Sequence, residues 1–307
     1  MRILGHIHTF NDEDVIDRSL RALLDQTYPL QEIVLVDNAS TDGTLNRSFP
    51  AHVKIIRHQE NLGTSGTVIA GMQYAMENQY DWIWLFDADS APRRDALEKL
   101  VDLYEKFPAG LQEQVWLLSC QQVDSLAELS HYAVTFTAKG CSQIAPRPEQ
   151  VVYEFDATIW SGSLYKLAAV QKIGLPEINY VLDWAEYEYG YRGQRCGYRA
   201  FLHQGSIIEH NIGGGPALHF TSYRVGPIAF RMRELPPIRC YYLVRNLLYF
   251  WFYEYHVQNV HTLSIHCFKV VKITFNFLMR AGTHWPELSA CLRGIWDGLC
   301  KNMHKRY

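Results

Sequence analysis

Short, nearly unbroken apolar runs alternate with longer stretches in which apolar residues return every third or fourth position. The short runs lie at residues 2–9, 32–36, 53–57 and 81–86. The run at 32–36, rich in β-branched residues, predicts a strand covered on both faces, that at 2–9 a short buried strand, and those at 53–57 and 81–86 a third and a fourth strand. The longer stretches predict helices over 12–26, from the loop at 61–66 to Ala75, and from Pro92 to Tyr104. In the first of these, Val15, Ile16, Leu20, Leu23 and Leu24 share one face, and Tyr28-Pro29 ends it. Ser40-Thr41-Asp42-Gly43-Thr44 carries turn and helix-cap chemistry. Strand and helix in this alternation predict a parallel, doubly wound α/β sheet, which binds ligands at the carboxyl edge of its strands.

Past residue 115 the pattern is less regular. It predicts a strand at 115–120, extended chain with turns over 131–158, and a helix between Trp160-Ser161-Gly162-Ser163 and Gly174-Leu175-Pro176. A helix over 182–198 follows, then strands at 198–202 and 206–210, and a flexible loop at Gly213-Gly214-Gly215-Pro216. Residues 238–281 are apolar and aromatic and predict long helices. Two regions result: 1–235, carrying the sheet, and 236–307, helical, basic and aromatic.

Charge separates the same two regions. The 307 residues have a net charge of −3, which gives no reason to expect nucleic-acid binding. Residues 231–307 hold 11 Lys/Arg against 4 Asp/Glu, or +7, so residues 1–230 hold 18 against 28, or −10. A basic, aromatic tail is the composition of a membrane-surface contact. Seven scattered cysteines without a C-x-x-C pair predict free thiols in a reducing compartment and argue against zinc. The first residues enter a strand without signal-peptide chemistry, and no run of 18 uncharged apolar residues occurs. The expectation is a cytoplasmic protein, with any membrane contact peripheral.

The candidate chemistry sits at strand ends. Asp87-Ala88-Asp89 ends the run at 82–86, where paired carboxylates suit Mg²⁺ or Mn²⁺ and a phosphate ester. The competing reading is a solvated strand end, with Ser90 capping the next helix. Asp37 ends the second strand, where an acid can accept hydrogen bonds from a ribose or a base; a plain turn former is the alternative. Gly63 and Gly66 would let backbone N–H groups approach a phosphate, although the loop is not G-x-G-x-x-G. Glu186 and Glu188 lie among Tyr180, Trp184, Tyr187, Tyr189 and Tyr191. Burial against aromatics raises a carboxyl toward the range of a general base; solvated helix residues are the bland reading, and Asp183 would then be a cap. Arg192 pairs with one of these acids or lies near a diphosphate. His210, just before a glycine loop, is a candidate third metal or diphosphate contact, whereas a lone histidine such as His203 or His219 is more often structural. For Arg239 to Asn246, a helix with solvated arginines competes with contact to an anionic donor or lipid phosphate.

Six segments in order resemble family 2 glycosyltransferases, over roughly residues 3–250: Thr9-Phe10-Asn11; Val36-Asp37-Asn38-Ala39-Ser40-Thr41-Asp42-Gly43-Thr44; Asn61-Leu62-Gly63-Thr64-Ser65-Gly66; Asp87-Ala88-Asp89; Asp183 to Arg192; and Tyr241-Tyr242-Leu243-Val244-Arg245-Asn246. The last two are similar to segments of bacterial rhamnosyltransferase-like members. The resemblance implies a GT-A fold, a Rossmann-like doubly wound mixed sheet, with a C-terminal helical extension. It also implies an inverting, metal-dependent transfer from a nucleotide-sugar to a glycan or lipid-linked acceptor in surface polysaccharide synthesis. By position, Asp37 would contact the base, with Thr9, Asn11, Asn38 and Asn61 lining the nucleotide pocket. Asp87 and Asp89 would hold metal and diphosphate, with Arg245 among the donor contacts. Trp160, Ser161, Gly162, Asp183 and Trp184 would border the acceptor, and Glu186 would be the base.

The sequence departs from the family at Glu186, where Asp is usual; a base one methylene longer leaves Glu188 as the alternative. The loop after Asn61 also lacks the usual second glycine pair. The implied donor is dTDP-L-rhamnose, with UDP-galactofuranose or another UDP-sugar close behind. A nucleotidyltransferase and a non-catalytic nucleotide-sugar-binding protein are the readings of other classes. The former should grip a triphosphate with a cationic first loop, yet His8-Thr9-Phe10-Asn11-Asp12-Glu13 is acidic.

Overall fold

The computed structural model describes residues 1–123, 129–130, 133–137, 140–145, 147, 149–210, 220–225, 228–233, 235–255, 264, 268, 271 and 285–305. The chain forms two compact units. The first comprises Met1–Phe136, Cys141–Ile178 and Tyr189–Gly214; the second comprises Thr137–Gly140, Asn179–Glu188 and Gly215–Tyr307. The boundary expected at 236 therefore falls inside the second unit, which also draws on two earlier stretches.

In the first unit, β1 (Ile3–Thr9) pairs in parallel with both β2 (Glu32–Asp37) and β4 (Trp82–Asp87), and β2 pairs in parallel with β3 (Val53–Arg57). The apolar runs of β1, β2 and β4 are buried on both faces, and Ile3, Leu4, Ile7, Val34, Leu35, Ile83 and Trp84 have almost no exposed surface; β3, at the end of the sheet, buries Val53 and exposes Lys54, Ile55 and Arg57. Helices α1 (Ile16–Leu24), α2 (Gly63–Glu77) and α3 (Ala96–Lys106) cover the sheet with Leu20 and Leu23, Val68 and Met72, and Leu97 and Leu100.

Beyond β4 the parallel order gives way to antiparallel pairing, the mixed sheet that the resemblance implied. A two-residue strand, β5 (Ala91–Pro92), pairs antiparallel with a later strand, so α3 starts at Ala96 and not at Pro92. A short α4 (Ala109–Gln114), not anticipated, leads into β6 (Val115–Val123). β7 (Leu129–Ser130) pairs with β6, and β8 (Val134–Thr137) pairs with β9 (Gly140–Gln143). β10 (Val152–Phe155) forms an antiparallel edge. β11 (Ser163–Lys166) then runs antiparallel between β4 and β6, where the sequence suggested helix, and α5 (Leu167–Ile173) follows it.

The turn into β11 depends on Gly162. Its φ is +82°, and an added Cβ would lie 2.8 Å from Ile208 Cδ1. After α6 (Ala185–Arg195) comes one long strand, β12 (Arg199–Glu209), where two were expected. The interruption is a bulge between His203 and Ile207, and His203 Nδ1 accepts the N–H groups of Gly205 and Ser206 at 3.0 and 3.1 Å. Among the described residues the sheet order is β10-β12-β6-β11-β4-β1-β2-β3, a mixed α/β sheet.

α6 begins at 185 and not 182 because Asp183 (φ 55°) and Trp184 (φ 70°) are left-handed. The second unit also contains the hairpin β13 (Phe220–Val225) and β14 (Ile228–Arg233), then α7 (Pro237–Tyr249), a π turn (Phe250–Glu254) and α8 (Trp285–Leu299). α7 and α8 approach closely through glycines: a Cβ at Gly294 would meet Tyr241 O at 2.6 Å, and one at Gly298 would meet Arg245 O at 2.7 Å. The buried Tyr241 hydroxyl donates to Asp297 at 2.7 Å in the same seam. The expected loop at Gly213-Gly214-Gly215-Pro216, His219, and most of the helical stretch expected between 256 and 281 lie outside the described residues.

Candidate active site

The parallel register sets His8 beside Asp87, because β1 and β4 end at the same level. His8 Nε2 lies 3.3 Å from Asp87 Oδ1. Two residues on, the chain has turned and Asp89 is partly buried. His210, just past the end of β12, reaches the same edge: its Nε2 is 3.9 Å from Asp87 Oδ2 and its Nδ1 is 3.7 Å from Asp89 Oδ1. Ser90 Oγ lies 2.6 Å from His210 Nδ1 and orients the ring. One ligand atom each from Asp87, Asp89 and His210 falls within 4.8 Å of the others.

Burial, and then the neighbouring charge of Asp87, pushes the Asp89 carboxyl above the usual carboxylate range. Two crowded carboxylates and an imidazole at a sheet edge are a donor set that a small divalent cation would relieve of its repulsion, and oxygen with one nitrogen suits Mg²⁺ or Mn²⁺. The residues present therefore fit such an ion.

A second set of strand ends builds a polar loop cluster. Asp37 is fully buried; its carboxylate accepts the Ser40 N–H at 3.2 and 3.3 Å and pairs with Arg57 at 3.2 Å. Asn38 donates to Asn61 Oδ1 at 2.8 Å and to Gly63 O at 3.2 Å, and accepts the Leu62 N–H at 2.8 Å. Asn61 in turn accepts the Gly63 N–H at 2.8 Å. Asn11, left-handed at φ 58°, accepts the Thr41 N–H at 2.8 Å and donates its own N–H to Ser40 Oγ at 2.9 Å. Thr9 is buried and donates to Asp12 at 2.9 Å. Gly63 (φ 72°) opens α2, and Gly66 is buried in its first turn. These residues fix the loops after β1, β2 and β3 relative to one another.

Ser161 and Gly162 brace the acidic edge. Ser161 Oγ accepts the Asp87 N–H at 3.3 Å, and Gly162 O accepts from the Trp84 indole at 3.3 Å. Trp160 is buried in an aromatic cluster, 5.8 Å centroid to centroid from both Tyr165 and Tyr189, so it acts as core and not as an open wall. Arg192 donates to Leu175 O at 2.9 Å and lies over the Tyr189 ring.

In the second unit, Glu186 stands in the first turn of α6 and Glu188 is nearly buried. Trp184 packs against the tilted rings of Tyr187 and Phe250 and meets Trp251 edge-on. Arg239 pairs with the Asp183 carboxylate through Nη2 at 3.0 Å and Nε at 3.2 Å. Asn246 Nδ2 donates to Leu182 O at 2.7 Å and to Asp183 O at 2.9 Å. Arg245 is fully buried and donates to Asn179 O at 2.6 Å and to His304 O at 3.1 Å. Arg245, for which the sequence offered a donor contact or a solvated side chain, is thus an internal tie. The last two sequence motifs interlock, and together they hold the left-handed entry to α6.

His8 and the Asp183–Arg239 pairing were not singled out from the sequence, and Ser90 was read only as a helix cap. His8 was within reach: strands of equal register, each ending at the sheet edge, place it opposite Asp87. Ser90 and Arg239 depend on tertiary contacts more than 50 residues away in the chain, which no local pattern encodes.

Residues 6–115 match the model of Glycosyl transferase family 2. The chain is 27% identical over 134 residues to a Bacillus subtilis glycosyltransferase assigned to teichuronic acid biosynthesis, covering 42% of this chain and 52% of that protein. It is 29% identical over 107 residues to an undecaprenyl-phosphate mannosyltransferase of Micrococcus luteus, covering 33% and 44%. It is 23% identical over 214 residues to the galactofuranosyltransferase GlfT1 of Mycobacterium tuberculosis, covering 64% and 65%. The chain thus spans between 44% and 65% of the lengths of these relatives. Among solved structures, GalNAc-T7 with UDP, GalNAc and Mn²⁺ aligns with TM-score 0.59 and 14% identity over 82% of this chain and 48% of that one. Residues 1–349 of S. aureus TarS with UDP-GlcNAc align with TM-score 0.55 and 13% identity over 99% and 88%. The fold is GT-A.

Proposed function

We propose that this chain, which belongs to glycosyl transferase family 2 through residues 6–115, moves a sugar from a nucleotide-sugar to a hydroxyl of a glycan or lipid-linked acceptor in surface polysaccharide synthesis. The observation that carries the reading is the convergence of Asp87, Asp89 and His210 at the carboxyl edge of a GT-A sheet. The nucleotide would lie along the loops that Asn11, Asp37, Asn38 and Asn61 tie together. A Mg²⁺ or Mn²⁺ held by Asp87, Asp89 and His210 would neutralise charge on the departing nucleoside diphosphate. Glu186 would take the acceptor's proton as its oxygen attacks the anomeric carbon, giving inversion. Of the two donor readings, a UDP-sugar draws more support than dTDP-L-rhamnose: GlfT1 by its name transfers galactofuranose, and both solved neighbours were crystallised with UDP or a UDP-sugar. We place the chain at the inner face of the cell membrane, where lipid-linked acceptors lie. The name of the undecaprenyl-phosphate mannosyltransferase supports that class of acceptor, and that of the teichuronic acid relative supports surface polysaccharide synthesis.

The test is nucleoside diphosphate release from a panel of UDP- and dTDP-sugars with Mn²⁺ and acceptor. Glu186→Gln should lose about 10²–10⁴-fold in kcat while donor binding stays within a few-fold. If Glu188→Gln is the dead variant and Glu186→Gln is active, the base is Glu188. Pyrophosphate released from a nucleoside triphosphate would replace this reading with a nucleotidyltransferase.

A further inference from the structure

Helix α8 buries one side and leaves a large apolar stripe on the other. Leu288, Ala290, Cys291, Gly294 and Gly298 are buried in the second unit. Trp285 (72% exposed), Leu292 (53%), Trp296 (71%) and Leu299 (43%) face outward. At 100° per residue these four positions fall within about 60° of one another, along a helix about 22 Å long. Two largely exposed tryptophans and two leucines in one line are not the scattered apolar exposure of an ordinary surface.

Basic groups flank the stripe. Arg293 lies beside it on the helix and Lys301 just beyond its end, both exposed. The only acid of α8 besides the buried Asp297 is Glu287, and residues 231–307 as a whole carry +7. No helix of the described residues is long and apolar enough to cross a membrane. An apolar stripe with a tryptophan near each end, bordered by cations, is the chemistry of a helix lying in the headgroup region of an anionic bilayer.

We propose that the Trp285–Trp296 face of α8 docks the chain flat on an anionic lipid surface, its apolar side chains in the acyl boundary and its cations among lipid phosphates. This deepens the proposed placement at a membrane and supplies a residue-level basis for it. The charge of the flanking groups favours lipid over a second copy of the chain, whose α8 would bring the same cations together.

The 307-residue chain should co-sediment with phosphatidylglycerol/phosphatidylcholine vesicles and much less with pure phosphatidylcholine. Paired substitution of the exposed Trp285→Ser and Trp296→Ser should cut vesicle binding at least tenfold, with an unchanged far-UV spectrum and unchanged cation-dependent cleavage of soluble nucleotide-sugar. That last readout separates failure of the docking surface from failure of the transferase reading. Wild-type protein that ignores anionic vesicles, or a double variant that binds them as well as wild type, would overturn the proposal. So would a lipid-free dimer that the double variant turns into monomer, since the face would then belong to a second copy.

Discussion

At the level of single residues, the acidic edge makes the sharpest demand. Asp89 is held protonation-prone by burial and by Asp87, so removing its charge should not harm the metal-free fold. Asp89→Asn is expected to be as stable as wild type without metal and to lose the stabilisation that Mn²⁺ gives wild type. A ligand at a hundred times its Kd contributes about 2.7 kcal/mol, easily read by thermal unfolding. An undiminished Mn²⁺ shift in the variant would remove Asp89 from the site. His6 makes a different demand. It is fully buried, with Nε2 3.1 Å from Thr67 O, and burial followed by the charge of His8 lowers its pKa to about 3 from 6.5. Between those values the unfolded chain binds the proton and the folded chain does not. Stability is therefore complete above about pH 6.5 and declines as pH falls, by about 1.4 kcal/mol per unit for one such group. His58 and His203, also lowered chiefly by burial, act with the same sign. Urea unfolding at pH 7.5 and 5.5 should show the loss; equal stability at both would contradict it.

At the level of elements, the contact between α7 and the segment before α6 explains why two distant motifs occur together. Asp183 and Trp184 are left-handed non-glycine residues, a conformation that costs about 1–3 kcal/mol each and persists only under restraint. The restraint is visible: Asn246 holds the carbonyls of Leu182 and Asp183, and Arg239 holds the Asp183 carboxylate. Asn246→Ala leaves two carbonyls without their donor and should cost about 2 kcal/mol or more in denaturant unfolding. A loss below about 0.5 kcal/mol, the range of an ordinary surface change, would show that the clamp is dispensable. The sequence revealed the two motifs but not their interlock, because hydrogen bonds between residues some 60 positions apart leave no periodic trace.

At the level of the whole molecule, the parallel half of the sheet was readable because its strands between 3 and 87 are short, mostly apolar runs separated by helical periodicity. The antiparallel half was harder to read. β11 is four residues long and continues directly into α5, so its apolar residues look like helix. The bulge in β12 divides its pattern in two. Asp87, Asp89 and His210 were each legible as candidates, and the structure brings them together because β4 and β12 deliver their ends to one edge. Tyr180, expected near the acids, does feel the charge of Glu188, and its hydroxyl also donates to Glu254 at 2.6 Å inside the second unit, a partnership only the tertiary fold creates. The central claim is cation-dependent cleavage of a nucleotide-sugar at that edge. Its most direct test is nucleoside diphosphate release from the UDP-sugar panel by wild type and Asp87→Asn, each with Mn²⁺ and then with excess chelator. The account predicts turnover by wild type that chelator abolishes and added Mn²⁺ restores, and at least about a hundredfold less from the variant. Release that survives chelation, or that Asp87→Asn leaves intact, would contradict it.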